Sequence, residues 1–182
     1  MDLIPWLGQP CIFLGHSLGA RIAFEVVREL RRMEAPGPRH LFVAAGAAPQ
    51  IPWPYPPLHD LSDYELLTAV NRRYHSIPRQ VFDDLDLRAL LVPGLRADFT
   101  LVETYKYKDE PALDCPISVY GGDRDSTLSV ADYEAWRKQT CGRFRMQMIE
   151  GDHFLLGALR LRLLTDEIVR DFEESMVDPI PA

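Results

Sequence analysis

Clustered Lys and Arg, paired cysteines and a long apolar run are all missing from this sequence, and each absence removes a class of function. Twenty basic residues stand against twenty-seven acidic ones, a net charge of -7. Phosphate contacts need concentrated positive charge, so nucleic acid is excluded as a partner, and an acidic surface argues equally against anionic membranes. The three cysteines, Cys11, Cys115 and Cys141, are odd in number and far apart. No CxxC pair points to zinc or to thiol redox chemistry, and a reducing cytoplasm is the expected location. Nowhere do the roughly 18 apolar residues of a membrane span run together, and the Met1 to Trp6 stretch lacks the basic n-region of a signal peptide. Internal repeats and charge blocks are absent as well.

What is present is the composition of an ordinary globular domain: 182 residues, 47% hydrophobic and 26% charged, which is too apolar for a disordered chain. Cys11 to Leu14 is a short apolar run that stops at a glycine. The period then changes: Ile22, Ala23, Val26, Val27 and Leu30 recur at helical spacing over Leu18 to about Met33, with Arg21, Arg28, Arg31 and Arg32 mostly on the other side. Pro36-Gly37-Pro38 ends that helix, and Leu41 to Ala45 reads as a second buried strand of a parallel pair. Five of the nine residues from Pro49 to Pro57 are proline, which dictates a stiff loop. Helical segments follow between about Leu61 and Tyr107, broken near Pro78 and at Pro93-Gly94. Strand spacing resumes at Pro116 to Tyr120 and again at Phe144 to Ile149, with a helix over Val130 to about Thr140 and a closing helix over Leu155 to Met176. The fold class is therefore α/β, a mostly parallel sheet interrupted by a helical insertion at about residues 58–110, within a single domain.

Gly15-His16-Ser17-Leu18-Gly19 fits G-x-S-x-G and lies between a strand and a helix, where a nucleophile elbow belongs. The sharp turn strains the serine backbone, and Gly15 and Gly19 are the small flanking residues that would let strand and helix approach. The following helix N-terminus favours developing negative charge, and the Leu18 amide is positioned to donate to an oxyanion. A serine hydroxyl needs a base and an orienting acid, in the chain order Ser, acid, His for this architecture. Gly121-Gly122-Asp123-Arg124-Asp125 follows the third strand and Gly151-Asp152-His153-Phe154 the fourth. His153 is the candidate base, and position at the strand end permits either Asp123 or Asp125 as the acid. His16, His40, His59 and His75 share no metal-ligand spacing and read as surface or packing residues. Cys11 reads as a small buried hydrophobe, and the arginines of the first helix as a solvated face or a site for an acidic partner.

Beyond this, the sequence resembles the external, type II thioesterases of the α/β-hydrolase superfamily, which serve nonribosomal peptide and polyketide synthases and are related to the animal medium-chain fatty-acyl thioesterase. The resemblance runs through nearly the whole chain. It rests on Gly15-His-Ser-Leu-Gly-Ala20 with Phe24-Glu25, on Leu95-Arg-Ala-Asp98 with Glu103 and Tyr105, on Cys115-Pro-Ile, on Gly121-Gly122 with Asp125, and on Gly151-Asp-His-Phe-Leu155. It selects Asp125 as the acid, three residues after the second glycine of the pair, and His153 as the base. The helical insertion corresponds to the lid over the acyl channel. The implied reaction is hydrolysis of acyl groups from the phosphopantetheine arm of acyl or peptidyl carrier proteins, with no metal or nicotinamide cofactor.

In the family several strands, and a glycine-containing loop that gives the second oxyanion amide, precede the nucleophile strand, whereas only ten residues precede Cys11 here. The expectation is thus a partial α/β-hydrolase fold, N-terminally truncated, whose nucleophile strand forms an open edge that invites self-association. Two other functions compete: a non-catalytic remnant that binds carrier protein, and a general carboxylesterase.

Overall fold

A computed structural model describes residues 9–156 and 158–177. Four parallel strands, β1 (Ile12–His16), β2 (His40–Ala44), β3 (Ile117–Gly122) and β4 (Phe144–Ile149), lie side by side in the order β1-β2-β3-β4. Every residue of β2 and β3 is buried, as expected of central strands covered on both faces. Among the described residues β1 pairs with β2 alone, and its Ile12 and Leu14 are exposed.

Helix α1 (Leu18–Arg32) crosses between β1 and β2. Its buried side chains are Ala20, Phe24, Val27, Arg28 and Leu30. The arginine face is therefore not wholly solvated: Arg28 is 2% exposed whereas Ile22 is 49% exposed. At about 100° per residue, positions 20, 24, 27 and 28 form one stripe and Ile22 falls behind it. Arg28 tolerates this place because its guanidinium meets Glu25 at 2.9 Å and Glu110 at 2.7 Å.

After β2 the chain enters an interposed compact unit, Pro52–Lys108, and the segments on either side of it form the unit that holds the sheet. Within Pro52–Lys108 lie α2 (Asp63–Tyr74), α3 (Arg79–Asp83) and α4 (Leu85–Thr104), packed around Leu66, Leu67, Val70, Val81, Val92 and Phe99. The Glu103 carboxylate accepts from the amides of Leu58 and His59 and from the His59 ring at 2.5 Å, fastening the proline-rich loop to α4. Helix α4 runs through Pro93-Gly94 without the expected break. An interior proline costs about 3 kcal/mol through one lost hydrogen bond and a clash. Burial of Val92 and Phe99 on either side, and the Asp84 cap on the amides of Asp86 and Leu87, outweigh it.

In the sheet unit, the segment expected as one helix divides into a short α5 (Val130–Glu134) and a 3-10 turn over Ala135–Gln139. That turn places Trp136 edge-on to Phe24 of α1, and its indole N–H donates to the Gly46 carbonyl at 2.8 Å. Helix α6 (Ala158–Val177) closes the chain, with Leu164 in the cluster of Phe42, Ala44, Tyr120, Ile149 and Leu155. Buried polar groups share this face. The Asp171 carboxylate of α6 accepts from Ser118 and Tyr120 of β3 and pairs with Arg145 of β4, and the Ser118 oxygen accepts from His40 at 3.0 Å.

Candidate active site

Ser17 sits in the one-residue gap between β1 and α1 with φ 54° and ψ -120°, a region non-glycine residues seldom adopt. Its amide donates to the Ala44 carbonyl at 2.8 Å, continuing the β1–β2 ladder, so the backbone is held while the hydroxyl turns out of the strand. The tight turn needs Gly15: a Cβ there would lie 2.3 Å from the Gly19 carbonyl oxygen and 2.4 Å from Ala20 Cα. Gly19 has no such role, since a Cβ on it meets nothing within 4 Å among the described residues. The small residue on the far side is instead Gly46, whose Cβ would come 2.7 Å from that of Ala20. Leu18 is the first residue of α1, so its amide is one of the helix N–H groups without an intrahelical acceptor.

The ends of β3 and β4 bring the other two residues to Ser17. His153 Nε2 is 2.9 Å from Ser17 Oγ, and His153 Nδ1 is 2.9 Å from Asp125 Oδ2. Because an ionised carboxylate only accepts, Nδ1 carries the proton in the neutral ring, leaving Nε2 to accept from the serine hydroxyl. The Asp125 side chain is fully buried. Burial pushes its carboxyl up, but hydrogen bonds from His153 and Thr127 outweigh this and hold it below the ordinary value. Oδ1 accepts from the Thr127 amide at 2.8 Å and hydroxyl at 2.6 Å, while Tyr133 donates to Oδ2 at 3.1 Å.

Asp123 goes elsewhere. Its Oδ1 accepts from the Gly151 amide at 2.8 Å, and the adjacent Arg124 amide donates back to the Gly151 carbonyl at 2.7 Å. These bonds sew the β3 and β4 loops together. Gly122 allows the approach, since a Cβ on it would stand 2.3 Å from the Asp152 carbonyl oxygen.

Of the histidines read as packing residues, His40 is a buried residue of β2, His59 is bonded to Glu103, and His75 ends α2 in the left-handed conformation. His16 is different: its Nε2 lies 2.8 Å from the His153 carbonyl oxygen, inside the site. Thr127 and Tyr133 complete the site without belonging to any of the sequence motifs. Asp125-x-Thr127 is the spacing at which a short side chain closes a turn on its own backbone and so was a usable signal, whereas Tyr133 reaches Asp125 from α5 with no local mark. Among the described residues no group of three His, Cys, Asp or Glu could hold a metal ion, and no helix is long and apolar enough to cross a membrane.

The profile of the thioesterase domain family matches residues 3–176, nearly the full length of the chain. The chain belongs to this family. Among curated proteins, this thioesterase-domain chain is 40% identical over 165 residues to linear gramicidin dehydrogenase LgrE of Brevibacillus parabrevis, covering 89% of the chain and 62% of the relative. Among solved structures, RedJ, the thioesterase from the prodiginine biosynthetic pathway of Streptomyces coelicolor, matches with a TM-score of 0.76 at 36% identity, over 86% of the chain and 61% of RedJ. The type II thioesterase YbtT of the yersiniabactin NRPS/PKS pathway matches with a TM-score of 0.82 at 27% identity, over 93% of the chain and 68% of YbtT. The family architecture is thus the α/β-hydrolase type, and the chain spans about three fifths of the length of LgrE and RedJ.

Proposed function

We propose that this chain carries the active site of a serine thioesterase that hydrolyses acyl groups from the phosphopantetheine arm of carrier proteins, with Ser17 as nucleophile, His153 as general base and Asp125 as its orienting acid. The observation that carries the proposal is the pair of 2.9 Å contacts at the two nitrogens of His153, one to the Ser17 hydroxyl and one to the buried Asp125 carboxylate. The family and the pathway named for YbtT support the thioester and carrier-protein parts.

In this mechanism Ser17 Oγ attacks the thioester carbonyl as its proton passes to His153 Nε2. The negative charge on the carbonyl oxygen falls at the head of α1, where the Leu18 amide donates. Collapse breaks the C–S bond, and His153 returns the proton to the leaving pantetheine thiolate. Water then loses a proton to His153 and attacks the acyl-serine, and Ser17 regains its proton as the carboxylic acid leaves. Through both steps Asp125 holds the ring in the Nδ1–H tautomer and offsets the imidazolium charge.

The test is release of free thiol from an acyl-pantetheine thioester by the purified protein, with Ser17→Ala beside it. Hydrolysis that falls by about 10³-fold or more in the variant, with the fold unchanged, is the expected result. Equal rates for the two proteins would overturn the proposal.

A further inference from the structure

The residue before the nucleophile makes a bond that the mechanism above does not use. The His16 ring Nε2 lies 2.8 Å from the backbone carbonyl oxygen of His153. The two rings meet edge to face, with centroids 5.4 Å apart at 61°, and Phe154 lies against both. A carbonyl oxygen only accepts, so the proton of His16 is on Nε2. Consecutive residues of the elbow therefore hold the same histidine at two points, Ser17 at the ring and His16 at the backbone.

Placement makes the second hold consequential. His153 lies in the connection after β4 rather than on a regular element. That connection is tied at Gly151 to Asp123 and Arg124 of the β3 loop. The His16 bond ties it from the β1 side, at the residue whose ring must reach Ser17 Oγ. We propose that His16 is a positioning residue, whose ring N–H on the His153 carbonyl fixes the base over the neighbouring Ser17. It rests on the serine-hydrolase proposal for its kinetic consequence, though the bond itself can be tested apart from it.

The donor at position 16 must also be uncharged. A cation beside the His153 ring would oppose the imidazolium that forms during reaction. Burial lowers the His16 pKa, partly offset by its bond to the His153 carbonyl and by Asp125, and keeps the ring neutral. Gln can supply a neutral N–H from a similar reach; Phe keeps the ring and loses the donor.

The experiment compares wild type, His16→Phe and His16→Gln for thiol release from an acyl-pantetheine, with Ser17→Ala as the blank and thermal melting as the check on folding. His16→Phe should lower kcat by about tenfold or more with KM little changed, because a misplaced base slows acylation and deacylation alike. His16→Gln should recover most of the loss. Wild-type kcat in His16→Phe, or a loss in His16→Gln as large as in His16→Phe, overturns the proposal. If wild-type turnover does not depend on Ser17, the hydrolase proposal fails. Nitrogen-15 NMR of the wild-type imidazoles then decides the His16 bond separately, as it also does should His16→Phe not fold. A protonated Nε2 and a lone-pair Nδ1 on His16 support it, and the opposite tautomer refutes it.

Discussion

The Tyr133 hydroxyl and the His153 ring N–H converge on a single oxygen, Asp125 Oδ2, at 3.1 and 2.9 Å. With the Thr127 amide and hydroxyl on Oδ1, both carboxylate oxygens are engaged, and the acid cannot rotate without breaking a bond. Tyr133 is fully buried, and burial followed by the Asp125 charge pushes its hydroxyl pKa up, so it remains a donor. Tyr133→Phe keeps the ring that packs on Gly121 and removes the hydroxyl, with its bond to Asp125 and its backbone hydrogen bond with Gly122. The expected cost is about 1–2 kcal/mol in stability, with kcat for thioester hydrolysis lowered about three- to tenfold, because Thr127 still orients the carboxylate. Urea unfolding and thiol-release kinetics check the two effects, and a variant unchanged in both would show that Tyr133 does not restrain the acid.

The two glycines of the serine motif should respond oppositely to one methyl group. At Gly15 the new Cβ would press into the backbone of Gly19 and Ala20 at 2.3–2.5 Å, and neither the strand end nor the helix start can withdraw without moving Ser17. Gly15→Ala is expected to cost more than about 4 kcal/mol, through strain at a fixed backbone, or to give insoluble protein. Gly19→Ala meets nothing within 4 Å among the described residues in the first turn of α1 and should be neutral or stabilising by about 0.5 kcal/mol, because alanine loses less entropy there. Soluble yield and urea midpoints of the two variants distinguish them.

The contrast also marks what was legible in the sequence. The order of strands and the placement of Ser17, Asp125 and His153 at strand ends follow from patterns within a few residues: an apolar run, a change of period, a glycine-bearing turn. The choice between Asp123 and Asp125 did not, because both sit in one loop and differ only in which partner across the sheet they reach. The motif's spacing points to Gly19 for a packing role that belongs to Gly46, a residue from another strand end that no local spacing connects to Ser17. Helical spacing groups Arg28 with the other arginines of α1 and leaves open whether they meet water or an acidic partner, because Glu110 lies far along the chain. Pro93 reads as a breaker because propensity is local, while the burial of Val92 and Phe99 that keeps α4 whole is not.

His40 gives the chain a defined acid sensitivity. It is 2% exposed and stacked on Phe42 at 4.1 Å, with Nε2 donating to Ser118 Oγ, since that hydroxyl donates its own proton to Asp171. Its Nδ1 has no partner among the described residues, and a proton there would be buried unbonded. Burial, with a smaller contribution from the Arg143 charge, lowers its pKa to about 4. Above pH 6.5 both folded and unfolded chains hold the ring neutral, so its full contribution is present. As pH falls below 6.5 the unfolded chain binds a proton that the native state refuses, and stability declines until about pH 4. Roughly 3 kcal/mol is lost across that window, at 1.36 kcal/mol per pKa unit. His40→Gln keeps a donor for Ser118 but does not titrate. Its stability deficit relative to wild type, measured by urea unfolding at pH 7.0, 5.5 and 4.5 (about the span of the transition), should shrink as pH falls. A deficit independent of pH would show that the native ring accepts the proton.

Glu110 should lose stability in the same direction as His40 but in a lower pH window, and for the opposite reason, because its charged form is the one the fold needs. It bonds Arg28 at 2.7 Å, Arg31 at 2.9 Å and Arg32 at 3.3 Å, so one carboxylate gathers three arginines of α1 at the point where the chain returns to the sheet unit. The Arg28 hydrogen bond foremost, with those of Arg31 and Arg32, holds the carboxyl down to about 2 from an ordinary 4.5. Stability from this group is therefore complete above about pH 4.5 and is lost progressively as pH falls from there to about 2. Glu110→Gln leaves the buried Arg28 with Glu25 as its remaining carboxylate partner in this cluster and should cost about 1–3 kcal/mol at pH 7. Arg28→Met should cost less, since Glu110 keeps two arginines and the stripe gains an apolar side chain. The Glu110→Gln deficit should be constant from pH 7 to pH 5, where the His40→Gln deficit is already changing. Measuring both variants across that interval separates a carboxylate held ionised by arginines from a histidine held neutral by burial, and a Glu110→Gln deficit that narrows above pH 5 would contradict the arginine clamp.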